Sequence, residues 1–127
     1  MVLFNTDSLA VSCANLDAVK QWWIRTFGCK ETNVPEDWDC ALPSDLALRL
    51  PGDTEPTILL SDRAEVQHAG YDRPREHAIL FTANVKKAYE HLSIKGANPG
   101  PIQEQRGPHF FEVLDPEGNI IEICEAT

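Results

Sequence analysis

A faint internal repeat constrains the fold of this chain more than any other feature of its sequence. The segments that begin at Ser8 and at His77 are both short, mostly apolar runs, and they lie 69 positions apart. Each run ends in an Ala-Asn pair and continues into apolar residues at helical spacing. Asn is a favoured helix N-cap because its side-chain oxygen accepts a hydrogen bond from a free backbone N–H of the first turn. The repeat therefore predicts two strand–helix units of similar length.

Strand-like segments follow each predicted helix. The first helix follows Asn15 and stops at Gly28, and the second follows Asn84 and stops at Gly96. The segments after the first helix are residues 39–43, 47–50 and 57–62, and those after the second are 102–105, 109–114 and 120–125. Each half is thus predicted as a βαβββ unit. We expect one domain over residues 1–127, with units at about 4–62 and 76–126 and a charged linker at about 63–75.

The composition limits the classes of partner. The 127 residues include 11 basic and 20 acidic side chains, which gives a formal net charge of −9. Such a surface repels phosphate backbones, so the sequence argues against nucleic-acid binding. No segment is apolar over a bilayer-spanning length, and the start lacks the pattern of a secretory signal. We therefore expect a cytoplasmic protein with no membrane partner.

The four cysteines, Cys13, Cys29, Cys40 and Cys124, show no CxxC spacing. Neither a zinc knuckle nor a redox dithiol is indicated by that arrangement. Cys13 and Cys124 lie in apolar, strand-like runs, where cysteine usually behaves as a small hydrophobe. We predict free thiols without a catalytic role.

Two segments resemble motifs of the vicinal-oxygen-chelate superfamily, which includes glyoxalase I, extradiol dioxygenases and bleomycin-resistance proteins. The helix start N-L-D-A-V-K-Q-W-W, from Asn15, is similar to the family's D-L-x-x-A-x-x-F-Y. The ending F-E-V-L-D-P-E-G-N-I-I-E, from Phe111, is similar to its more specific F-x-x-x-D-P-x-G-N-x-x-E. The resemblance implies an α+β fold in which two βαβββ units with mixed sheets curl around a cleft, with helices outside.

Strand alternation then sorts residues between the cleft and the helices. In the first strand, Ser8, Ala10 and Ser12 are predicted to line the cleft. In the fifth strand, His77, Ile79 and Phe81 would face inward, and in the last strand Ile120, Glu122 and Cys124. A carboxylate between two apolar residues requires the cleft or solvent, because burial without a partner is costly.

The resemblance also implies four metal-ligand positions, of which the second unit keeps two, His77 and Glu122. The first unit has Ser8 and Leu59 at the other two, and neither is a useful ligand for a divalent ion. His109 and His68 are substitute ligands outside the family positions. We therefore expect no cofactor; if a divalent metal is present, His77 and Glu122 would hold it. Alternatively, these two side chains simply bond to each other.

Three functions remain open from the sequence. The first is a metal-independent small-molecule-binding protein of the bleomycin-resistance type, sequestering an antibiotic or toxic compound. The second is a metal-dependent lyase, isomerase or dioxygenase with a reduced ligand set, in which His77 and Glu122 would be catalytic. In a third variant, Glu122 would act as a general base without metal.

The expected ligand is cationic or aromatic, because the chain is acidic and aromatic side chains are available for stacking. The residues predicted to bind it are Trp38, His77, Phe81, His109, Phe110 and Glu122. Trp38 is either a cleft wall or an interface anchor, and His109 is alternatively a rim residue. Arg49 is predicted at the surface or, alternatively, against an acid group of the ligand. We expect a homodimer, because a single chain would leave cleft edges and apolar strands open.

Overall fold

The computed structural model describes residues 3–38, 41–70, 78–104 and 107–126. Strands and helices alternate through this part of the chain as two successive units. The first unit contains β1 (Leu9–Cys13), α1 (Leu16–Phe27), β2 (Lys30–Thr32), β3 (Leu46–Arg49) and β4 (Ile58–Asp62). A short helix, α2 (Arg63–His68), follows it. The second unit contains β5 (Ala78–Thr82), α3 (Val85–Ile94), β6 (Phe110–Leu114) and β7 (Ile120–Glu125).

The strands form two mixed sheets, which confirms the predicted α+β fold class. The first sheet has the order β1-β4-β3-β2 and the second the order β5-β7-β6. In each sheet the first and last strands of the unit are parallel, with Leu9 opposite Ile58 in one and Ala78 opposite Ile121 in the other. The two sheets therefore repeat the same pairing register, as a duplicated unit requires.

The two main helices begin at the predicted caps. The side-chain oxygen of Asn15 accepts a hydrogen bond from the Ala18 N–H at 3.1 Å, and that of Asn84 accepts one from the Lys87 N–H at 3.1 Å. Gly28 ends α1 in the left-handed conformation at φ 72°, which costs glycine little. None of the helices in the described ranges has the length and apolar content to cross a membrane.

The predicted alternation of buried and open strand positions is confirmed. Val11, Cys13, Leu80, Ile121 and Ile123 are buried against the helices. Their neighbours in sequence on the same strands are exposed or half-buried. The buried side chains join Trp23, Phe27 and Leu92 in one continuous apolar core. Burial of one face thus fixes the register, because a slip by one residue would turn every apolar side chain outward.

Two of the predicted strands are wrong. The second strand of the first unit is Lys30–Thr32, and residues 41–43 form no strand; residues 39 and 40 lie outside the described residues. As an edge strand, Lys-Glu-Thr has no alternating apolar pattern that a sequence reading could detect. Of the predicted strand at 102–105, residue 105 lies outside the described residues, and residues 102–104 form a single bridge, between Gln103 and Phe110. Pro99 and Pro101 immediately precede this bridge, and proline cannot donate to a strand ladder.

Contacts between distant segments join the two units. Asn5 and Phe81 exchange backbone hydrogen bonds of 2.9 and 2.7 Å, which tie the segment before β1 to β5. The Glu117 carboxylate accepts from the backbone N–H groups of Ala14 and Asn15 at 2.8 and 2.7 Å, and it pairs with Arg63 at 3.5 Å. The turn between β6 and β7 therefore holds the start of α1 in place.

Candidate functional site

The faces of the two sheets turned away from α1 and α3 are called the cleft face below. On β1 and β4 it carries Ala10 and Ser12 beside their partners Leu59 and Ser61. On the second sheet it carries Ile79 and Phe81 from β5, Phe110, Glu112 and Leu114 from β6, and Ile120, Glu122 and Cys124 from β7. It is the part of each strand that the apolar core does not use.

A cavity of about 520 Å³ opens on the first sheet and is called the first-unit pocket. Ser8 and Leu59, the two positions at which the family resemblance implies metal ligands, both line it. Trp38 forms another part of its wall, and Asp7 and Asp37 add two carboxylates. An aromatic ring, an aliphatic side chain and acidic groups thus surround a space large enough for a small organic molecule.

A second, smaller cavity of about 220 Å³ adjoins the first-unit pocket, since Asp7, Ser8 and Ala10 line both. Its other wall is Ile79 and Phe81 from the second unit. The backbone bonds between Asn5 and Phe81 fix this junction. Phe81 thus lines a cavity shared by the two units.

The second sheet contributes a pair of carboxylates. Glu122 lies opposite Ile79 on one side and opposite Glu112 on the other. Glu112 was missed by the sequence prediction, although alternation with the buried Phe111 and Val113 assigns it to the cleft face. Two like charges at directly opposed strand positions oppose folding. The second unit thus has an acidic cleft face, whereas the first has Ala47 and Leu59 at the matching pair.

The structure brings together only part of the predicted ligand-binding set. Trp38 and Phe81 line adjoining cavities, and Phe110 and Glu122 share the cleft face of the second sheet. His109 has the strand parity of the buried Phe111, so alternation sets it on the other side from Phe110. His77 lies outside the described residues.

The described residues do not form a metal site of the family type. Neither Ser8 nor Leu59 supplies a nitrogen, thiolate or carboxylate ligand, and Glu122 is the one family ligand position with such a group in the described ranges. Within those ranges no cluster of three or more His, Cys, Asp or Glu side chains could hold an ion. His68 is exposed at the end of α2.

The three described cysteines are free thiols. Burial raises the pKa of the Cys13 thiol to about 12, with a further contribution from the charge of Glu117. Burial likewise raises the pKa of Cys29 to about 12. Cys124 lies half-buried on the cleft face, and partial burial followed by the charge of Glu122 raises its pKa as well. Thiols held in the protonated form are poor nucleophiles.

Solved structures provide the comparison with known proteins. A lactoylglutathione lyase from Agrobacterium tumefaciens is 17% identical and superposes with a TM-score of 0.71, covering 96% of this chain and 93% of that one. TnmS3, an antibiotic binding protein from Streptomyces sp. CB03234, is 15% identical with a TM-score of 0.68, covering 100% and 99%. A member of the glyoxalase/bleomycin resistance protein/dioxygenase superfamily from Sphaerobacter thermophilus is 16% identical with a TM-score of 0.67, covering 96% and 97%.

No protein-family model matches the sequence, and a search of curated proteins gives no match. The structural matches extend over nearly the whole chain at low sequence identity, so they report on the fold. The chain has the fold of the glyoxalase/bleomycin resistance protein/dioxygenase superfamily, which is the fold that the resemblance of its two motifs to the vicinal-oxygen-chelate superfamily implied. Proteins of this fold include antibiotic-binding proteins and lyases.

Proposed function

We propose that this chain binds a small cationic or aromatic molecule in the cleft without a metal ion, as a sequestering protein. The observation that carries the proposal is the first-unit pocket, in which Ser8 and Leu59 form part of the wall. A hydroxyl and an isobutyl group at these positions suit an organic molecule better than a divalent ion. The likeness in fold to TnmS3 supports a ligand of the antibiotic kind.

The charge and shape of the pocket support the class of ligand. Asp7 and Asp37 lie at the wall that includes Trp38, so a flat cation could meet an aromatic face and two carboxylates at once. A cation over an indole ring gains about 0.5–2 kcal/mol, depending on its desolvation. Glu112 and Glu122 add negative charge on the cleft face of the second sheet.

Binding of 9-aminoacridine, a flat cation, tests this assignment by fluorescence titration. Trp38→Ala should weaken binding about tenfold, which equals roughly 1.4 kcal/mol, whereas Trp38→Phe should keep most of the affinity. Asp37→Asn should weaken the binding of the 9-aminoacridine cation. It should not weaken the binding of acridine, which is largely uncharged at neutral pH. Asp17→Asn on the exposed surface of α1 is the control with the same loss of charge. If Trp38→Ala and the unaltered protein bind 9-aminoacridine with equal affinity, the first-unit pocket is not the binding site.

Metal independence has a separate test, because it could fail while the pocket stands. Protein purified without a His tag should contain well under one equivalent of zinc, nickel, iron or manganese. Its melting temperature should not change on addition of EDTA, either before or after Glu122→Gln. About one metal ion per chain, lost together with thermal stability on chelation, would instead support the enzyme alternative with His77 and Glu122 as ligands.

We also propose a homodimer formed through the second sheet. Leu114 and Ile120 are opposed on its cleft face and are 56% and 41% exposed, and Ile79 is 36% exposed. Large apolar side chains left open together are typical of an interface. Light scattering should give twice the mass of one chain, and Leu114→Lys should reduce it to a single chain. Ile94→Lys on α3 is the control, since Ile94 is 84% exposed and lies away from the sheet. A monomeric unaltered protein would refute the dimer.

The cytoplasmic location stays a prediction.

A further inference from the structure

Two cationic side chains lie directly opposite each other at the far edge of the first sheet. Lys30 on the edge strand β2 is the partner of Arg49 on β3. The two residues share the cleft face with Thr32 and Ala47, because Glu31 and Leu48 take the other side. Like charges at directly opposed strand positions destabilise a sheet.

Neither cation forms an ion pair with an acidic side chain in the part of the chain that the structure describes. The ion pairs found there join Lys20 to Asp17 and Glu31, and Arg63 to Glu117. The chain has nearly twice as many acidic as basic residues, so an unneutralised pair of cations is unexpected on composition alone. Glu31, the next residue on β2 after Lys30, forms an ion pair with Lys20 of α1.

The pair borders a cavity of about 390 Å³ formed with the ends of α1 and β3. Gly28 and Gly52 line it with bare backbone, and both have positive φ angles, 72° and 90°. Asp53 is the acidic residue among its lining, and its carboxylate accepts a hydrogen bond from the Thr57 hydroxyl at 3.2 Å. Within the described ranges Asp53 forms no ion pair with Lys30 or Arg49, so the donors of these two side chains remain available to a molecule in the cavity.

We propose that Lys30 and Arg49 form a binding site for the oxyanion group, carboxylate or phosphate, of a small molecule. The planar guanidinium can bond two oxygens of such a group at once, and the ammonium adds a mobile charge beside it. This site is separate from the first-unit pocket. The proposal therefore does not depend on whether a cation binds in that pocket. The loop from Pro51 to Thr57 borders both cavities, because Asp53 lines one and Thr57 the other.

Calorimetric titration with pyrophosphate and with citrate tests the site, at a constant ionic strength set with chloride. We expect saturable binding of at least one probe, and the preference between them identifies the type of oxyanion. The double variant Lys30→Gln/Arg49→Gln should lose at least tenfold in affinity. Lys86→Gln/Lys87→Gln, which removes two exposed cations from the first turn of α3, should bind as the unaltered protein does. Non-saturable binding, or equal losses in the two double variants, would overturn the proposal.

A charge reversal separates a binding role from a structural one. Lys30→Glu places opposite charges across β2 and β3, and should raise the melting temperature by about 1–4 °C while removing pyrophosphate binding. A lower melting temperature with binding retained would overturn the proposal. Light scattering on the same variant gives a further check. If the unaltered protein binds no anion and Lys30→Glu dissociates the dimer, the proposal is overturned. The two cations would then contact the acidic surface of a second copy of the chain.

Discussion

At matching positions of the two sheets, Leu60 on β4 and Ile123 on β7 are both fully buried, whereas the residues before them are Leu59 and Glu122. The first two side chains face the helices, and the other two face the cleft. The central helix-side positions, such as Val11 and Leu60 in the first unit and Leu80 and Ile123 in the second, are apolar because each unit buries that face in the shared core. The cleft face carries no such requirement. The two units therefore differ on the cleft face, where a ligand would bind, and are alike on the helix side, where the side chains pack in the core.

The largest expected effect tests the likeness of the two helix-side faces. Leu60→Ala and Ile123→Ala should each lower the free energy of unfolding by about 2–5 kcal/mol, because each leaves a cavity in the core. Urea denaturation measures both, and Leu59→Ala on the cleft face serves as the control with a smaller loss. A loss in one sheet that is several times that in the other would show that the units are not equivalent in stability.

A smaller effect is expected at the contact that joins the two units. Glu117→Gln removes the charge that binds two backbone N–H groups ahead of α1 and pairs with Arg63, and should cost about 1–3 kcal/mol. Glu36→Gln, at an exposed position, is the matched control in the same urea titrations. If the Glu117 and Glu36 variants unfold at the same urea concentration, the contact does not stabilise the fold.

The helix caps should be equivalent in the two units. Asn15→Ala and Asn84→Ala should each cost about 1 kcal/mol, because each leaves one N–H in the first turn without its acceptor. Asn→Ser at the same positions should restore most of the stability, since the hydroxyl can cap the same group. A cost confined to one unit, measured by thermal unfolding, would contradict the equivalence.

The rates at which the native cysteines are modified compare the exposure of the two faces without any substitution. Iodoacetamide near the ordinary thiol pKa of about 8.5 should modify Cys124 on the cleft face much faster than Cys13 on the helix face. The raised pKa of Cys13, about 12, leaves only a trace of thiolate at that pH, and its side chain is fully buried. Peptide mass spectrometry assigns the modified sites. Equal rates at Cys13 and Cys124 would mean that the helix face opens in solution.

The agreement between prediction and structure follows from how local each feature is. The caps at Asn15 and Asn84 need only a few neighbouring residues, and the alternation around Ile121 needs only one strand. The edge strand Lys30–Thr32 could not be found that way, because Lys30 and Glu31 are exposed, Thr32 is half-buried, and neither side carries an apolar residue. The predicted strand at 102–105 failed for a different reason: Pro99 and Pro101 precede it, and among its described residues Gln103 alone pairs with a strand.

The sequence by itself determined the two-unit architecture, the start of each main helix and the face on which Ser8, Leu59 and Glu122 lie. Each of these depends on periodic burial or on a cap, and both are encoded within short stretches of chain. The tertiary structure alone decided that Glu112 opposes Glu122, that Lys30 opposes Arg49, and that Trp38 and Leu59 line the same pocket. Those contacts join residues that are distant in sequence or that carry no apolar pattern. Their positions follow from strand register and packing between elements, which no local stretch of sequence specifies.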